Sequence, residues 1–227
     1  MDTERDTPPV EPAWRRPTRG EHRWPAAAAV VAAIVLQVLL PDTIVPLTRY
    51  LLPAVEAALL VALVGVNPYR IDRQSRIVRM LGLAVLAAVS LSNGWSAVLL
   101  VDRILTGHSA AAAQLLATGG AIWLTNVVAF ALAYWEFDRG GPAERAAATS
   151  LMPDFSFPQM QNPELAPKEW EPAFVDYLYL SFTNATAFSP TDVLPLSRWA
   201  KMLMMVQSAV ALVVVVLVVA RAINVLG

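Results

Sequence analysis

The chain has 227 residues, of which 56% are hydrophobic and 15% are charged, whereas soluble domains carry about 25% charged residues. A net charge of -1 gives no basic surface for nucleic acid. The absence of cysteine excludes disulfides, thiolate metal sites and cysteine nucleophiles. This composition indicates an integral membrane protein with one helical bundle and no second, soluble domain.

The N-terminal part of the chain divides into a polar tail and an apolar region. Residues 1–23 mix acids, arginines and prolines, a composition typical of a disordered cytoplasmic tail. Residues 24–137 contain long apolar runs, and a membrane-spanning helix requires about 20 mainly apolar residues, or about 17 at the lower limit. The sequence therefore predicts four transmembrane helices, at Trp24–Leu40, Leu47–Val66, Met80–Val101 and Ala110–Phe137.

Residues 138–172 form a proline-rich loop. A loop of this length without secondary structure is uncommon unless it is functional or disordered. Its aromatic residues, Phe155, Phe157 and Trp170, argue against disorder. We expect the loop to lie on the membrane surface or across the mouth of the bundle.

Residues 173–227 contain a short apolar helix, a turn and the last predicted transmembrane helix, Trp199–Ala220. The segment 173–188 is shorter than the lower limit for a span. We expect it to enter the membrane and return, and a crossing as a sixth span is the alternative. The predicted fold is an all-α integral membrane protein, a helical bundle of five transmembrane helices plus a short membrane-embedded helix.

The distribution of basic residues predicts the orientation, because Lys and Arg gather on cytoplasmic loops. With five spans and a cytoplasmic N-terminus, all but three of the 17 basic residues lie inside, the exceptions being Arg49, Arg103 and Arg221. With six spans, all but four lie inside. We expect a multi-pass protein of the bacterial inner (plasma) membrane with a cytoplasmic N-terminus, and the side of the C-terminus stays open.

Polar residues within the apolar segments are the candidates for a functional path. Glu56 is the only acidic residue within the body of a predicted helix. Placing an ionisable group in lipid costs free energy, and such groups are often functional. Glu56 is either a proton or cation site or a glutamate hydrated near an interface. The other candidates either line a path or fix packing by interhelical hydrogen bonds. The set is Glu56, Asn93, Asn126, Thr183, Asn184, Thr186, Ser189 and Asp192.

The C-terminal segment resembles a known family. Asp176-Tyr177-x-Tyr179-x-Ser181-Phe182, followed by Thr191-Asp192-Val193 and Ser197-Arg198, resembles the C-terminus of a family of small bacterial multi-pass membrane proteins of unknown function. The match covers about the last 50 residues. It implies a shared fold and no known activity.

The same segment is similar in order to the pore helix, filter and inner helix of potassium-type channels. The residues concerned are Thr183, Thr186, Asp192 and Pro195, before an apolar helix. The filter of such channels requires glycines so that backbone carbonyls line the ion path, and residues 187–190 contain none. The resemblance therefore implies a path that is not selective for potassium.

These observations lead to two functional hypotheses. The first is a membrane scaffold or accessory protein whose partner is the lipid bilayer. The second is a small channel-like or transporter-like protein with a path along residues 183–192, and both homo-oligomerisation and an ion or small-solute partner stay open. No metal-ligand spacing or nucleophile set is visible, so we expect no enzyme activity, cofactor or metal. A carboxylate-based membrane enzyme is the alternative, with Glu136, Asp138, Asp176 and Asp192.

Overall fold

A computed structural model describes residues 11–40, 50–71, 75–107, 111–186 and 192–226, and these are mostly helical. Two-residue strands β1 (Phe155–Ser156) and β2 (Leu194–Pro195) pair antiparallel, and single 3₁₀ turns cover Ala13–Arg15, Asp138–Gly140 and Pro163–Leu165. The α-helices are α1 (Trp24–Val38), α2 (Leu51–Val66), α3 (Arg76–Leu105), α4 (Ala112–Phe137), α5 (Pro142–Ala146), α6 (Pro158–Gln161), α7 (Phe174–Thr186) and α8 (Arg198–Leu226).

Among the described residues, three helices, α3, α4 and α8, are long and apolar enough to cross a membrane. At about 1.5 Å per residue, the 26 residues of α4 measure about 39 Å, which exceeds the hydrocarbon core of about 30 Å. Helices α1 and α2 are apolar but have only 15 and 16 residues. The predicted count of five or six spans is therefore not supported by helix length.

Helix α3 is longer at both ends than the predicted Met80–Val101. Ser75 caps its N-terminus, because the Ser75 hydroxyl accepts a hydrogen bond from the Val78 backbone N–H at 3.1 Å. The first turn thus includes Arg76 and Arg79, which hydropathy alone assigns to a loop.

Helix α4 is at the centre of the bundle. It packs against α1, α3, α7 and α8, while α2 packs against α1 and α3. Of its most apolar stretch 61% is buried, against 22% for α8. Helix α8 therefore lies at the periphery, where it packs mainly against α4, also contacts α7 and α3, and leaves much of its apolar surface exposed.

The segment around α7 leaves one end of the bundle and returns to the same end. At its start, the Phe174 backbone N–H donates to the Glu21 carboxylate at 2.8 Å. After α7, Leu194 in β2 pairs with Ser156 in β1, and the Leu196 N–H donates to the Asp154 carbonyl at 2.8 Å. Helix α8 consequently starts at the end where α7 began.

Residues 11–23 differ from the disordered tail expected from composition. Trp14 is buried, and the Thr18 N–H donates to the Ala146 carbonyl at 2.9 Å. The Ile71 N–H donates to the Glu21 carbonyl at 3.0 Å. This stretch is ordered because its backbone groups and its tryptophan find partners on segments distant in sequence.

The proline-rich loop is also packed against the bundle. Phe155 and Phe157 are buried and contact the ring of Tyr177, with centroid separations of 6.4 and 5.3 Å. Trp170 contacts Phe157 at 6.0 Å. These aromatic contacts hold residues 142–172 over one end of the bundle.

Candidate functional site

Glu56 lies in a buried polar chain that joins three helices. The Gln37 amide of α1 donates to the Glu56 carboxylate of α2 at 3.0 Å. The Ser92 hydroxyl of α3 donates to the Gln37 carbonyl oxygen at 2.6 Å. Glu56 is 0% exposed, so the expectation of a hydrated glutamate at an interface does not describe it. Arg49, its nearest basic residue in sequence, lies outside the described residues.

Asn184 belongs to a second buried polar network, between α4, α7 and α8. Its amide donates to the Gln207 carbonyl oxygen at 2.8 Å, which also accepts from the Tyr134 hydroxyl at 2.6 Å. The Gln207 amide donates to the Ser181 hydroxyl at 2.6 Å, and that hydroxyl donates to the Val127 carbonyl at 2.7 Å. Through the side chains of Ser181 and Asn184, α7 is thus hydrogen-bonded to both α4 and α8.

The other candidates in and after α7 do not extend this network. The hydroxyls of Thr183 and Thr186 each donate to a carbonyl of their own helix at 2.9 Å. Asp192 is exposed, and Ser189 lies outside the described residues. In the described part of the 183–192 segment, the threonine hydroxyls are therefore hydrogen-bonded to the backbone of their own helix. They do not form a line of free hydroxyl groups along a path.

Asn93 of α3 and Asn126 of α4 are brought together at a cavity. Both line the same space between α3, α4 and α8. Both are buried, and each has a side-chain atom without a hydrogen-bond partner. They are separate from the two hydrogen-bonded networks, although Glu56 Oε1 is likewise buried without a hydrogen-bond partner.

The sequence reasoning named Glu136 and Asp138 but missed the buried charge cluster to which they belong, at the end of the bundle covered by residues 11–23 and 142–172. Ion pairs and charged groups are rarely buried unless each is compensated by a partner. Here they come from the N-terminal segment, from the end of α4 and from α5. The cluster consists of Glu21, Arg23, Glu136, Asp138, Arg139 and Arg145.

The pair Glu21–Arg145 is at the centre of this cluster. A guanidinium nitrogen of Arg145 lies 3.2 Å from the Glu21 carboxylate, which also accepts from the Trp135 indole and the Phe174 N–H. The same guanidinium group donates to the Trp135 and Asp138 carbonyls at 2.6 and 3.0 Å. Burial raises the pKa of Glu21 above its ordinary value, and the charge of Arg145 opposes that shift.

The carboxylate of Asp138 connects α4 with the proline-rich loop and α7. It accepts from the Tyr177 hydroxyl at 2.5 Å and from the Asp154 N–H at 2.8 Å. The neighbouring Arg139 forms a second bond between the same segments, since its backbone N–H donates to the Asp154 carboxylate at 3.0 Å. The φ of Arg139 is 51°. Its guanidinium donates to the Trp14 carbonyl at 2.7 Å. The left-handed turn at Arg139 thus directs the chain from α4 into the loop.

Glu136 is buried among arginines from three segments. The charges acting on it come from Arg145, Arg79 and Arg23. Arg23 also donates to the Asn67 carbonyl at 2.9 Å, and burial lowers its pKa against the opposing charges of Glu136 and Glu21. Each acid of the cluster thus faces a basic group, which is the arrangement of a structural ion network.

The carboxylates of the alternative enzyme hypothesis have different surroundings. Glu136 and Asp138 belong to the buried charge cluster, whereas Asp176 accepts from the Ala173 N–H at 2.8 Å at the start of α7. Asp192 is exposed. Among the described residues, no three His, Asp or Glu side chains come close enough to hold a metal ion.

No protein-family model, curated protein or solved structure matches this chain. The resemblances of the C-terminal segment therefore stay predictions. Two signals in the sequence could have located the cluster: Trp14 in an otherwise polar tail, and the run Glu136-Phe137-Asp138-Arg139 before an aromatic loop. Neither signal identifies the partners: Arg139 bonds to Trp14 across 125 residues and Arg145 to Glu21 across 124.

Proposed function

We propose that this chain is a multi-pass membrane scaffold or accessory protein without transport or enzyme activity of its own. The observation that carries the proposal is the pairing of Gln207 with Asn184, Tyr134 and Ser181 in a buried interface. In a transport path these groups would face water. Polar side chains that bond to each other across helices instead fix packing in lipid.

The proposed topology has five spans, with α1 and α2 as short spans and α7 as an embedded helix that returns. Its support is the common location of arginines at one end of the bundle. Arg23, Arg79 and Arg145 all contact or face Glu136 there. Because basic residues favour the cytoplasmic side, this end is cytoplasmic, and with it the N-terminus, in a bacterial inner membrane.

The proposed scaffold role also agrees with the surface of α8. Its exposed side carries Met205, Leu212 and Val216, which suits contact with lipid or with an apolar surface of a membrane partner. The buried charge cluster stabilises the polar end of the bundle, at which α8 begins. A rigid polar end on an apolar stem is what an accessory protein needs to hold a partner at the membrane surface.

Single-cysteine labelling tests the proposal against the channel-like alternative, because the chain has no native cysteine. The variant Ser181→Cys is probed with a membrane-impermeant thiol reagent in sealed vesicles of both orientations. We expect it not to react, because Ser181 is fully buried. Glu169→Cys is the control, since the side chain of Glu169 is 81% exposed, and it reacts from the cytoplasmic side only.

Two results would count against the proposal. Labelling of Ser181→Cys from either side would mean that water reaches the interface of α7, which is the channel-like alternative. Labelling of Glu169→Cys from the outer side would show that the proposed orientation is wrong. It would not bear on whether water is excluded from the interface of α7.

A further inference from the structure

The polar ends of α1 and α2 are joined by a short ribbon. Its centre is an isolated antiparallel bridge between His22 and Arg70, and backbone hydrogen bonds of 3.0 and 3.2 Å flank this pair on either side. In an antiparallel pair flanked in this way, the two opposite side chains lie close together on one face. Arg23 and Ile71, on the other face, are buried. The exposed outer face therefore presents His22 and Arg70 side by side.

Arg70 is held on this outer face without an acidic partner. Its guanidinium donates to the Gly20 carbonyl at 3.0 Å and contacts Nε2 of His22 at 3.1 Å. Other arginines at this end of the bundle, such as Arg16 and Arg145, form ion pairs with acids. Among the described residues, Arg70 has no carboxylate within ion-pair distance. Its position is thus fixed, while its charge and its remaining N–H groups are left for an acceptor from outside the protein.

The contact with Arg70 also decides which nitrogen of His22 carries the ring proton. Because a guanidinium can only donate, Nε2 of His22 is the acceptor, and the proton of the neutral ring is on Nδ1. The side chain of His22 is exposed, so this N–H is a second donor on the outer face. A fixed guanidinium beside a second N–H donor is suited to binding the oxygens of a phosphate group.

Two aromatic side chains flank this pair of donors. Trp24, the first residue of α1, is 70% exposed, and Tyr69, next to Arg70, is 79% exposed. The apolar stretch of α1 begins directly after Trp24, and that of α2 ends shortly before Tyr69. Exposed Trp and Tyr at the ends of apolar helices are typical of the boundary between hydrocarbon and headgroups. The donors of His22 and Arg70 are therefore at the depth of the lipid phosphates.

We propose that His22 and Arg70 bind the phosphate of an anionic phospholipid in the leaflet at this end of the bundle. Arg70 donates to the phosphate oxygens and supplies the compensating charge, and His22 Nδ1–H donates one further hydrogen bond. Trp24 and Tyr69 pack against the glycerol and the first part of the acyl chains. A free phosphate ion would use the same donors but would leave both aromatic side chains without a contact. This binding is independent of the scaffold role.

Native mass spectrometry of the purified protein in detergent tests the proposal. The lipids are dioleoyl phosphatidylglycerol, dioleoyl phosphatidylcholine and dioleoylglycerol, which lacks the phosphate. We expect phosphatidylglycerol to bind about tenfold more tightly than either of the others, and an excess of inorganic phosphate not to displace it. Equal binding of phosphatidylglycerol and either other lipid would overturn the proposal. Displacement by inorganic phosphate would also overturn it, because the site would then belong to a free anion.

Arg70→Gln and Arg19→Gln are matched variants. Both remove an exposed positive charge at the same end of the bundle, but Arg19 is not part of the bridge. Arg70→Gln should weaken the binding of phosphatidylglycerol about tenfold or more, and Arg19→Gln about twofold at most. Equal weakening would mean that net charge alone attracts the lipid, and the proposal would fail.

Trp24→Ala provides an arm that does not depend on the folding of Arg70→Gln. The change leaves the bridge and the contacts of Arg70 in place, so we expect an unaltered unfolding temperature. The affinity for phosphatidylglycerol should nevertheless fall about threefold or more, because the lipid loses an aromatic contact. An affinity equal to that of the unmodified protein would show that the lipid does not bind beside Trp24, which overturns the proposed site.

Discussion

The indole N–H of Trp199 donates to the carboxylate of Asp154 across 2.9 Å, and this bond ties the first turn of α8 to the proline-rich loop. The other oxygen of the same carboxylate accepts from the Arg139 N–H at the end of α4. Asp154 thus links the ends of two long helices. It also explains how the chain returns after α7 to the end of the bundle from which it left.

Replacing Asp154 by alanine should destabilise the protein. The change leaves the Trp199 and Arg139 N–H groups without an acceptor, at a cost of about 1–3 kcal/mol. The measurement is thermal unfolding of the purified protein in detergent. Glu169→Ala is the control, because an exposed ion pair such as that between Arg16 and Glu169 contributes about 0–1 kcal/mol. Equal unfolding temperatures for the two variants would contradict the linking role of Asp154.

Gln207→Leu should destabilise the contact between α7 and α8. It keeps the volume but leaves Tyr134, Ser181 and Asn184 without their shared partner, with an expected loss of about 1–3 kcal/mol. The double variant Gln207→Leu, Tyr134→Phe should lose less than the sum of the two single variants, since both remove the same bond. Strictly additive unfolding free energies would mean that the network is not coupled.

Gly119→Ala should disturb the packing of α4 on α8. A Cβ at Gly119 would lie 2.7 Å from Val218 Cγ2, whereas a Cβ at the adjacent Gly120 meets nothing within 4 Å. We expect Gly119→Ala to cost about 1–3 kcal/mol of stability through overpacking, and Gly120→Ala to cost nothing. Adding Val218→Ala to Gly119→Ala should restore part of the loss. If Gly120→Ala is the more damaging change, the assignment of the helix contact is wrong.

The raised pKa of Glu21 predicts how stability depends on pH. Because the folded protein holds the Glu21 proton more tightly than the unfolded chain, the contribution of Glu21 to stability is fully present below pH 4.5, the ordinary pKa. It is lost as the pH rises through the raised pKa. Glu21→Gln, which keeps a polar group of the same size, should lack this step.

The unfolding temperature of the protein minus that of Glu21→Gln, measured from acidic to neutral pH, checks this expectation. The difference should fall as the pH rises. A difference that increases with pH would mean that the attraction of Arg145 outweighs burial, and that the pKa of Glu21 is lowered instead.

The sequence by itself determined the helical elements that depend on local composition. Helices α3, α4 and α8 are long, continuous apolar runs, and any such run satisfies its backbone hydrogen bonds internally as a helix. The sequence also singled out Glu56, Asn93, Asn126 and Asn184, because polar groups in apolar segments stand out without knowledge of their neighbours. The number of membrane spans could not be determined from the sequence, because α1 and α2, with 15 and 16 residues, are too short for their length to show that they cross the membrane.

Only the tertiary structure decided which groups meet. Glu21 and Arg145 are separated by 124 residues, and the bond from Trp199 to Asp154 spans 45. Local composition describes residues 11–23 as a polar tail, because the arginines and acids there are compensated only by partners far along the chain. Likewise, Asn93 Oδ1 and Asn126 Nδ2 lack hydrogen-bond partners because of how α3, α4 and α8 pack around them. Burial and hydrogen bonding across such distances depend on where the segments lie, and no periodicity within one segment encodes that.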